Sequence, residues 1–250
     1  MTLSRYCVLD VETAPSPDAL RWLPRGDRAS IERVALHELT AVATLSFAQA
    51  GDEFLDFELA SVWAGEGGEA DLLQKLAISL KAGYGDGVSL VTFNGGHDLS
   101  VLRRRAGRHW LFGAFDLPRW SDGQGHIDLM HVNRFGGARS PSLVDACAGF
   151  GFGIAPPVRC PAGAHVPDPV RKCELDVAAT SLLLFHELSF RAGTPMPLIR
   201  GWCALADHLR PQLRARPHLA QLVRHPNVGE ARGVMACVQV ADAPARSVGF

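Results

Sequence analysis

The sequence predicts an α/β fold in which a mixed β-sheet is flanked by helices. Apolar runs of strand length dominate residues 6–59, and segments with helical apolar spacing follow them. The 250 residues are 47% hydrophobic and 20% charged, a composition that supports one substantial folded core.

Three strands are predicted first. The apolar run 6–11 ends at a proline loop, and residues 40–49 and 53–59 alternate apolar with polar side chains around an Ala-Gly-Asp turn. The remaining predicted elements are a helix at 68–80 capped by Gly83, a strand at 88–93, a helix at 98–108, a strand at 126–132 and helices at 142–150 and 169–190. Because no crossover helix separates the first three strands, this order favours a ribonuclease-H-like mixed sheet over a doubly wound parallel sheet.

The predicted domain organisation is one domain at 1–195 and a helical C-terminal extension of unknown role at 196–250. Within the extension, we expect one or two polar helices at 196–225 and a loose tail at 226–250. The Pro- and Gly-rich segment 151–168 is expected to be a loop near the functional site.

Charge and targeting signals narrow the classes of function. A net charge of −1 gives no overall basic surface, so any contact with nucleic acid must be local. No apolar stretch has the length of a signal peptide or a membrane span, and six dispersed cysteines match neither a zinc ribbon nor a disulfide framework. We therefore expect a cytoplasmic protein with reduced thiols. Neither a P-loop nor a serine-hydrolase GxSxG motif occurs.

Acidic residues at four positions suggest metal chemistry. Asp10 and Glu12 lie one residue apart on a predicted strand, so period-two alternation points both carboxylates to the same side. Hard divalent cations such as Mg²⁺ or Mn²⁺ would relieve their repulsion. Taken alone, this pair is also explained as a solvated strand end. Asp98 and Asp176 have ordinary explanations too, at a helix N-terminus and on an exposed helix face.

Five segments place these acids in a common context. They are VLDVETAP at 8–15, LVTFNGGHDLSVL at 90–102, HIDLMHV at 126–132, SLVDACAGFGF at 142–152 and KCELDVAATSLLLFHEL at 172–188. In this order they resemble successive blocks of the predicted 3'-5' exonucleases that are related to the proofreading domain of family B DNA polymerases. The resemblance covers about residues 5–190.

This resemblance implies a ribonuclease-H-like fold of the DEDD superfamily and a two-metal phosphodiester hydrolase. It assigns Asp10 and Glu12 to the first exonuclease motif, Asp98 to the second and Asp176 to the third, where they would hold two Mg²⁺ or Mn²⁺ ions. The implied reaction releases nucleoside 5'-monophosphates from a free 3' end of single-stranded DNA or RNA. Asp128 is expected to support the site without binding metal.

The residue that positions water in the family is missing from this sequence. Members carry Tyr four residues before the last Asp, or His five residues before it in a sister branch, to position the attacking water. Lys172 and Arg171 stand at these positions. As a catalytic residue, Lys172 either contacts the scissile phosphate or, with a pKa lowered by other cations, helps to position water; otherwise it is an ordinary surface residue. The alternative function is therefore a catalytically impaired protein that binds nucleic acid or nucleotides, and a third is an adaptor that binds a protein partner through 196–250.

Candidate contacts with nucleic acid surround the predicted site. Thr13 is placed to bond the terminal sugar or phosphate. Asn94 is placed to present its amide to the terminal nucleotide, beside the backbone N–H groups of two glycines. Arg103 and Arg104 belong to the basic run 103–109, which either follows the phosphates of the strand or forms a solvated helix face.

Overall fold

The computed structural model of the protein describes most of the chain. The described residues are 3–21, 34–65, 67–83, 87–115, 117–121, 125–132, 140–155 and 168–241. Most of the predicted loop at 151–168 and the end of the predicted tail therefore lie outside the described residues.

A five-stranded mixed sheet organises the described part of the chain. Its strands are β1 (Leu3–Pro15), β2 (His37–Ala50), β3 (Glu53–Trp63), β4 (Val88–Thr92) and β5 (His126–Asp128). The order across the sheet is β3-β2-β1-β4-β5. Strand β2 is antiparallel to β1 and β3, whereas β4 is parallel to β1 and β5. This topology confirms the ribonuclease-H-like α/β class that the sequence predicts.

Helices cover both faces of this sheet. They are α1 (Pro17–Leu20), α2 (Gly68–Gly83), α3 (Gly95–Arg108), α4 (Leu117–Ser121), α5 (Leu129–Val132), α6 (Leu143–Gly149), α7 (Asp168–Ala192), α8 (Met196–Leu209), α9 (Ala220–Val223) and α10 (Pro226–Ala241). One face packs against α7 and α8, and the other against α2 and α3. Helix α7 buries most of its circumference because it lies between the sheet and α8. No described helix is long and apolar enough to span a membrane.

The strand predicted at 126–132 is wrong in its second half. Only His126–Asp128 pairs with β4, and Leu129–Val132 forms the short helix α5. The backbone turns there because Oδ1 of Asp128 accepts a hydrogen bond from the backbone N–H of Met130 at 3.0 Å.

The segment after α7 is part of the core. Trp202, Leu205 and Leu209 of α8 lie in the same hydrophobic cluster as the buried face of α7, and Val228 of α10 reaches that cluster. The expectations of polar helices and of a loose tail from residue 226 are therefore wrong for the described residues. The division of the chain at residue 195 stays a prediction.

A buried carboxylate ties this segment to α7 and the sheet. Oε1 of Glu174, whose side chain is 1% exposed, accepts hydrogen bonds from Ser61 Oγ at 2.7 Å and from Arg216 Nε at 2.8 Å. Nε2 of His218 lies 2.9 Å from the other oxygen, Oε2. Glu174 therefore joins α7 to β3 and to the turn before α9.

Two residues of the predicted basic run bind a second buried carboxylate. Oε1 of Glu69 in α2 accepts hydrogen bonds from Arg105 Nε at 2.6 Å and from the backbone N–H of Leu39 at 2.7 Å. Nη2 of Arg105 and Nε2 of His109, the latter at 2.8 Å, contact Oε2. Arg105 and His109 are thus engaged inside the protein, so the basic run is not one continuous solvated or phosphate-binding face.

Candidate metal centre

The first two acids project from the end of β1 that extends beyond β4. Strand β4 pairs with β1 only through residues 5–8, so Asp10 and Glu12 lie past this pairing. Alternation places them on the same face as Tyr6 and Val8, which pack on the α7 side of the sheet. The two carboxylates therefore face α7, as the period-two pattern predicts.

Helix α7 supplies the fourth acid and a lysine one turn before it. Nζ of Lys172 donates hydrogen bonds to Oδ2 of Asp176 at 2.9 Å and to Oε1 of Glu12. The 172–176 spacing puts both side chains on one side of the helix, toward β1. Lys172 is therefore not an isolated surface residue, because it links a carboxylate of the strand to one of the helix.

The third acid, Asp98, is positioned by the turn between β4 and α3. Gly95 in this turn packs so closely that a Cβ would lie 2.5 Å from Oγ1 of Thr92 and from Cε1 of His126. Its N–H donates to Oδ2 of Asp128 at 3.0 Å. With Oδ1 already bound to the backbone of α5, Asp128 also holds the start of α3, and its supporting role at the site stays a prediction. Asp98 itself is 5% exposed.

The electrostatics of the cluster are those of crowded and poorly compensated acids. Burial is the largest cause that raises the pKa of every one of the four carboxyls, namely Asp10, Glu12, Asp98 and Asp176. Mutual repulsion adds to this effect, most strongly between Asp10 and Asp176 for the Asp10 group. The carboxylates in turn raise the pKa of Lys172, although its burial opposes this. The lysine is therefore an ammonium ion, and the expectation that its pKa is lowered is wrong.

One oxygen of Asp10 has no partner. Its Oδ2 is buried and accepts no hydrogen bond from the described residues. Ligand atoms of Asp10, Glu12 and Cys173 lie within 4.8 Å of one another, close enough to hold one metal ion. A buried carboxylate oxygen without a donor is costly unless a cation contacts it. The residues present therefore fit a divalent cation.

Cys173 was not expected at the site. It follows Lys172 and precedes Asp176 by three positions, and this helical spacing was the available signal. Burial, with smaller contributions from Asp10 and Glu12, raises the pKa of its thiol well above the usual range. Because thiols bind metals as thiolates, a neutral thiol leaves the carboxylate oxygens as the effective ligands. An all-oxygen set favours hard cations such as Mg²⁺ or Mn²⁺.

The four residues predicted to contact nucleic acid differ in their exposure and in their present partners. Oγ1 of Thr13 is 3.0 Å from Nδ1 of His37, so its hydroxyl already has a partner. Asn94 is exposed at the N-terminus of α3, in a strained backbone conformation with φ 145°. Arg103 and Arg104 are exposed on α3. Burial and then the positive charge of Arg104 lower the pKa of His97, which places Arg104 near the residue that precedes Asp98.

Comparisons with known proteins find similarity among solved structures but not among family models or curated proteins. No protein-family model matches the sequence, and no curated protein matches it. Among solved structures, the chain is similar to the family B DNA polymerase from the hyperthermophilic archaeon Pyrobaculum calidifontis, with 16% sequence identity and a TM-score of 0.46. The match covers 85% of this chain and 29% of the polymerase chain, so the chain spans less than a third of that protein's length. Membership of the exonuclease family therefore stays a prediction.

Proposed function

We propose that this protein is a metal-dependent 3'-5' exonuclease that releases nucleoside 5'-monophosphates from single-stranded DNA or RNA. The observation that carries the proposal is the convergence of four acids from β1, α3 and α7, with a buried Asp10 oxygen that has no partner among the described residues. Acids are rarely buried together without compensation unless their site binds a cation. The resemblance of the five sequence segments supports the direction of hydrolysis.

Asp10, Glu12, Asp98 and Asp176 would hold the divalent cations. Bound there, such cations lower the pKa of a water molecule and stabilise the negative charge that develops on phosphate oxygens. Around them, Asp128 keeps the start of α3 in place, and with it Asp98.

Four groups would orient the substrate. Thr13 and Asn94 lie at the ends of β1 and β4, where a terminal nucleotide would approach the acids. Arg104, near His97, would meet the phosphates that follow, and the neighbouring Arg103 would add charge to that path.

A second candidate function is supported by Lys172. Its ammonium already contacts two of the four carboxylates, and neither Tyr nor His stands at the water-positioning places. A protein that binds 3' ends or nucleotides at this site without cleaving them would satisfy these observations. Activity and binding therefore have to be measured on the same samples.

The test uses single-stranded DNA and RNA of equal sequence, labelled at the 5' end, with Mn²⁺ or with EDTA. Asp10→Asn is compared with Asp71→Asn, which removes an exposed carboxylate that pairs with Lys75 at 2.7 Å in α2. We expect stepwise shortening from the 3' end and release of mononucleotides by the wild type and by Asp71→Asn. Asp10→Asn should be slower by at least about 10²-fold.

Full activity of Asp10→Asn, or undiminished activity in EDTA, would contradict the proposed exonuclease. Retained binding of 3' ends without any release would favour the second candidate. The polymer that is degraded faster identifies the substrate.

A further inference from the structure

The Lys172 ammonium occupies a position between carboxylates of two different elements. It donates to Glu12 of β1 and to Asp176 of α7, although Glu12 and Lys172 are 160 residues apart in sequence. A single positive charge that contacts two acids from separate elements does what a bridging cation would do.

A second Lys–Asp pair of the same spacing shows that this arrangement is particular to the site. Lys75 and Asp71 in α2 are also four residues apart and lie at 2.7 Å, with exposed fractions of 58% and 40%, against 50% and 15% for Lys172 and Asp176. Among the described residues, this lysine has one acidic partner, whereas Lys172 has two. The pair in α2 is an ordinary solvated ion pair, which contributes little to stability.

The two remaining acids have no such cation. Among the described residues, neither Asp10 nor Asp98 forms an ion pair, although Asp98 is 5% exposed and Oδ2 of Asp10 is buried without a hydrogen bond. The site is thus divided into Glu12 and Asp176, which contact the ammonium of Lys172, and Asp10 and Asp98, which its charge reaches only without an ion pair.

We propose that Lys172 permanently takes the place of one metal ion, so that the protein binds a single divalent cation at Asp10 and not two. This inference rests on the proposed metal site and narrows its stoichiometry. A second divalent ion between Glu12 and Asp176 would have to displace the ammonium and would be repelled by it. The proposal therefore replaces the two metal ions expected from the sequence with one metal ion and the ammonium of Lys172.

The experiment counts Mn²⁺ ions bound to the full-length protein after treatment with EDTA, by isothermal titration and by electron paramagnetic resonance of free Mn²⁺. We expect one ion for the wild type and one for the control Lys75→Met. Lys172→Met should bind two ions, with the first bound at least about tenfold more tightly than in the wild type, because a nearby positive charge is gone.

Each outcome decides the proposal. Two ions on the wild type, or a single ion on a folded Lys172→Met, would overturn it while leaving a metal-dependent nuclease intact. No ion on the wild type would overturn both this inference and the proposed function. Circular dichroism shows whether Lys172→Met folds; if it does not, the wild-type count decides, together with Asp10→Asn, which should lose the single ion.

Discussion

Two sets of buried and half-buried carboxylates in this protein differ in how many donors compensate their charge. The paired acids, Glu69 and Glu174, each accept a hydrogen bond from an arginine and each have an oxygen within 2.9 Å of a histidine nitrogen. The site acids, Asp10, Glu12, Asp98 and Asp176, share one lysine. An arginine thus neutralises each acid that has a structural role. The four site acids have too few positive side chains near them, which favours the binding of a cation from solution.

The pKa values express the same difference. Burial by itself would raise the pKa of Glu69 and of Glu174, but their hydrogen bonds outweigh burial and lower both values. For the site acids burial prevails, and each pKa is raised. Carboxylates that are removed from water and repel one another, with one lysine between four of them, destabilise the metal-free protein, which the paired acids do not.

The largest effect expected from this comparison is on the pH dependence of stability. The contributions of the site acids and of the paired acids should change with pH in opposite directions. An acid whose pKa is higher in the folded state than in the unfolded chain stabilises the fold when the pH is below its unfolded-state pKa. This contribution to stability is lost as the pH rises through the folded-state pKa. For the site acids, whose usual values are 3.8 and 4.5, metal-free stability should therefore fall as the pH increases above this range. The lowered pKa values of the paired acids contribute stability above 4.5 that is lost as the pH falls through them.

Urea unfolding midpoints measured from acidic to neutral pH in EDTA would test this expectation. Added Mn²⁺ should restore stability near neutral pH by binding the native state alone. A metal-free midpoint that rises steadily toward neutral pH, with no further gain from Mn²⁺, would contradict the comparison.

Breaking a paired acid should be the most destabilising single change. Glu69→Gln leaves the guanidinium of Arg105, whose side chain is 6% exposed, without its negative partner. We expect a loss of about 3–5 kcal/mol in the free energy of unfolding, measured by urea titration. Asp71→Asn on the same helix is the control, and an equal loss in both variants would show that Glu69 has no special role.

Removing a site acid should have a smaller effect of the opposite sign. In EDTA, Asp98→Asn should increase stability by about 1 kcal/mol, because an uncompensated buried charge is replaced by a neutral amide. The same variant should lose the rise in melting temperature that Mn²⁺ gives the wild type. A destabilisation as large as that of Glu69→Gln would mean that Asp98 is a structural acid.

The smallest effect concerns a single neutral donor of a paired acid. Ser61→Ala removes the 2.7 Å hydrogen bond to Glu174, which keeps its contacts with Arg216 and His218. We expect a loss of about 1 kcal/mol without any change in Mn²⁺ binding. Altered metal binding in this variant would show that the two sets of acids are coupled through α7.

Local patterns in the sequence predicted much of the fold. The hairpin, the helix after it and the long helix α7 follow from period-two and helical spacing, so their existence required no tertiary information. Two predictions failed because of specific contacts. The hydrogen bond of Asp128 ends the strand and begins α5. The apolar side chains of α8 pack in the hydrophobic core, which composition alone did not predict.

Asp10 and Glu12 were placed on one face by the sequence itself, because alternation along a strand is a local property of the backbone. The tertiary structure decided that Lys172 joins Glu12 to Asp176, that Cys173 lies beside Asp10, and that Arg105 serves Glu69 instead of a phosphate. These contacts connect residues far apart in the chain. Their charges and spacings are visible in the sequence, but which of them meet depends on how the sheet and helices pack.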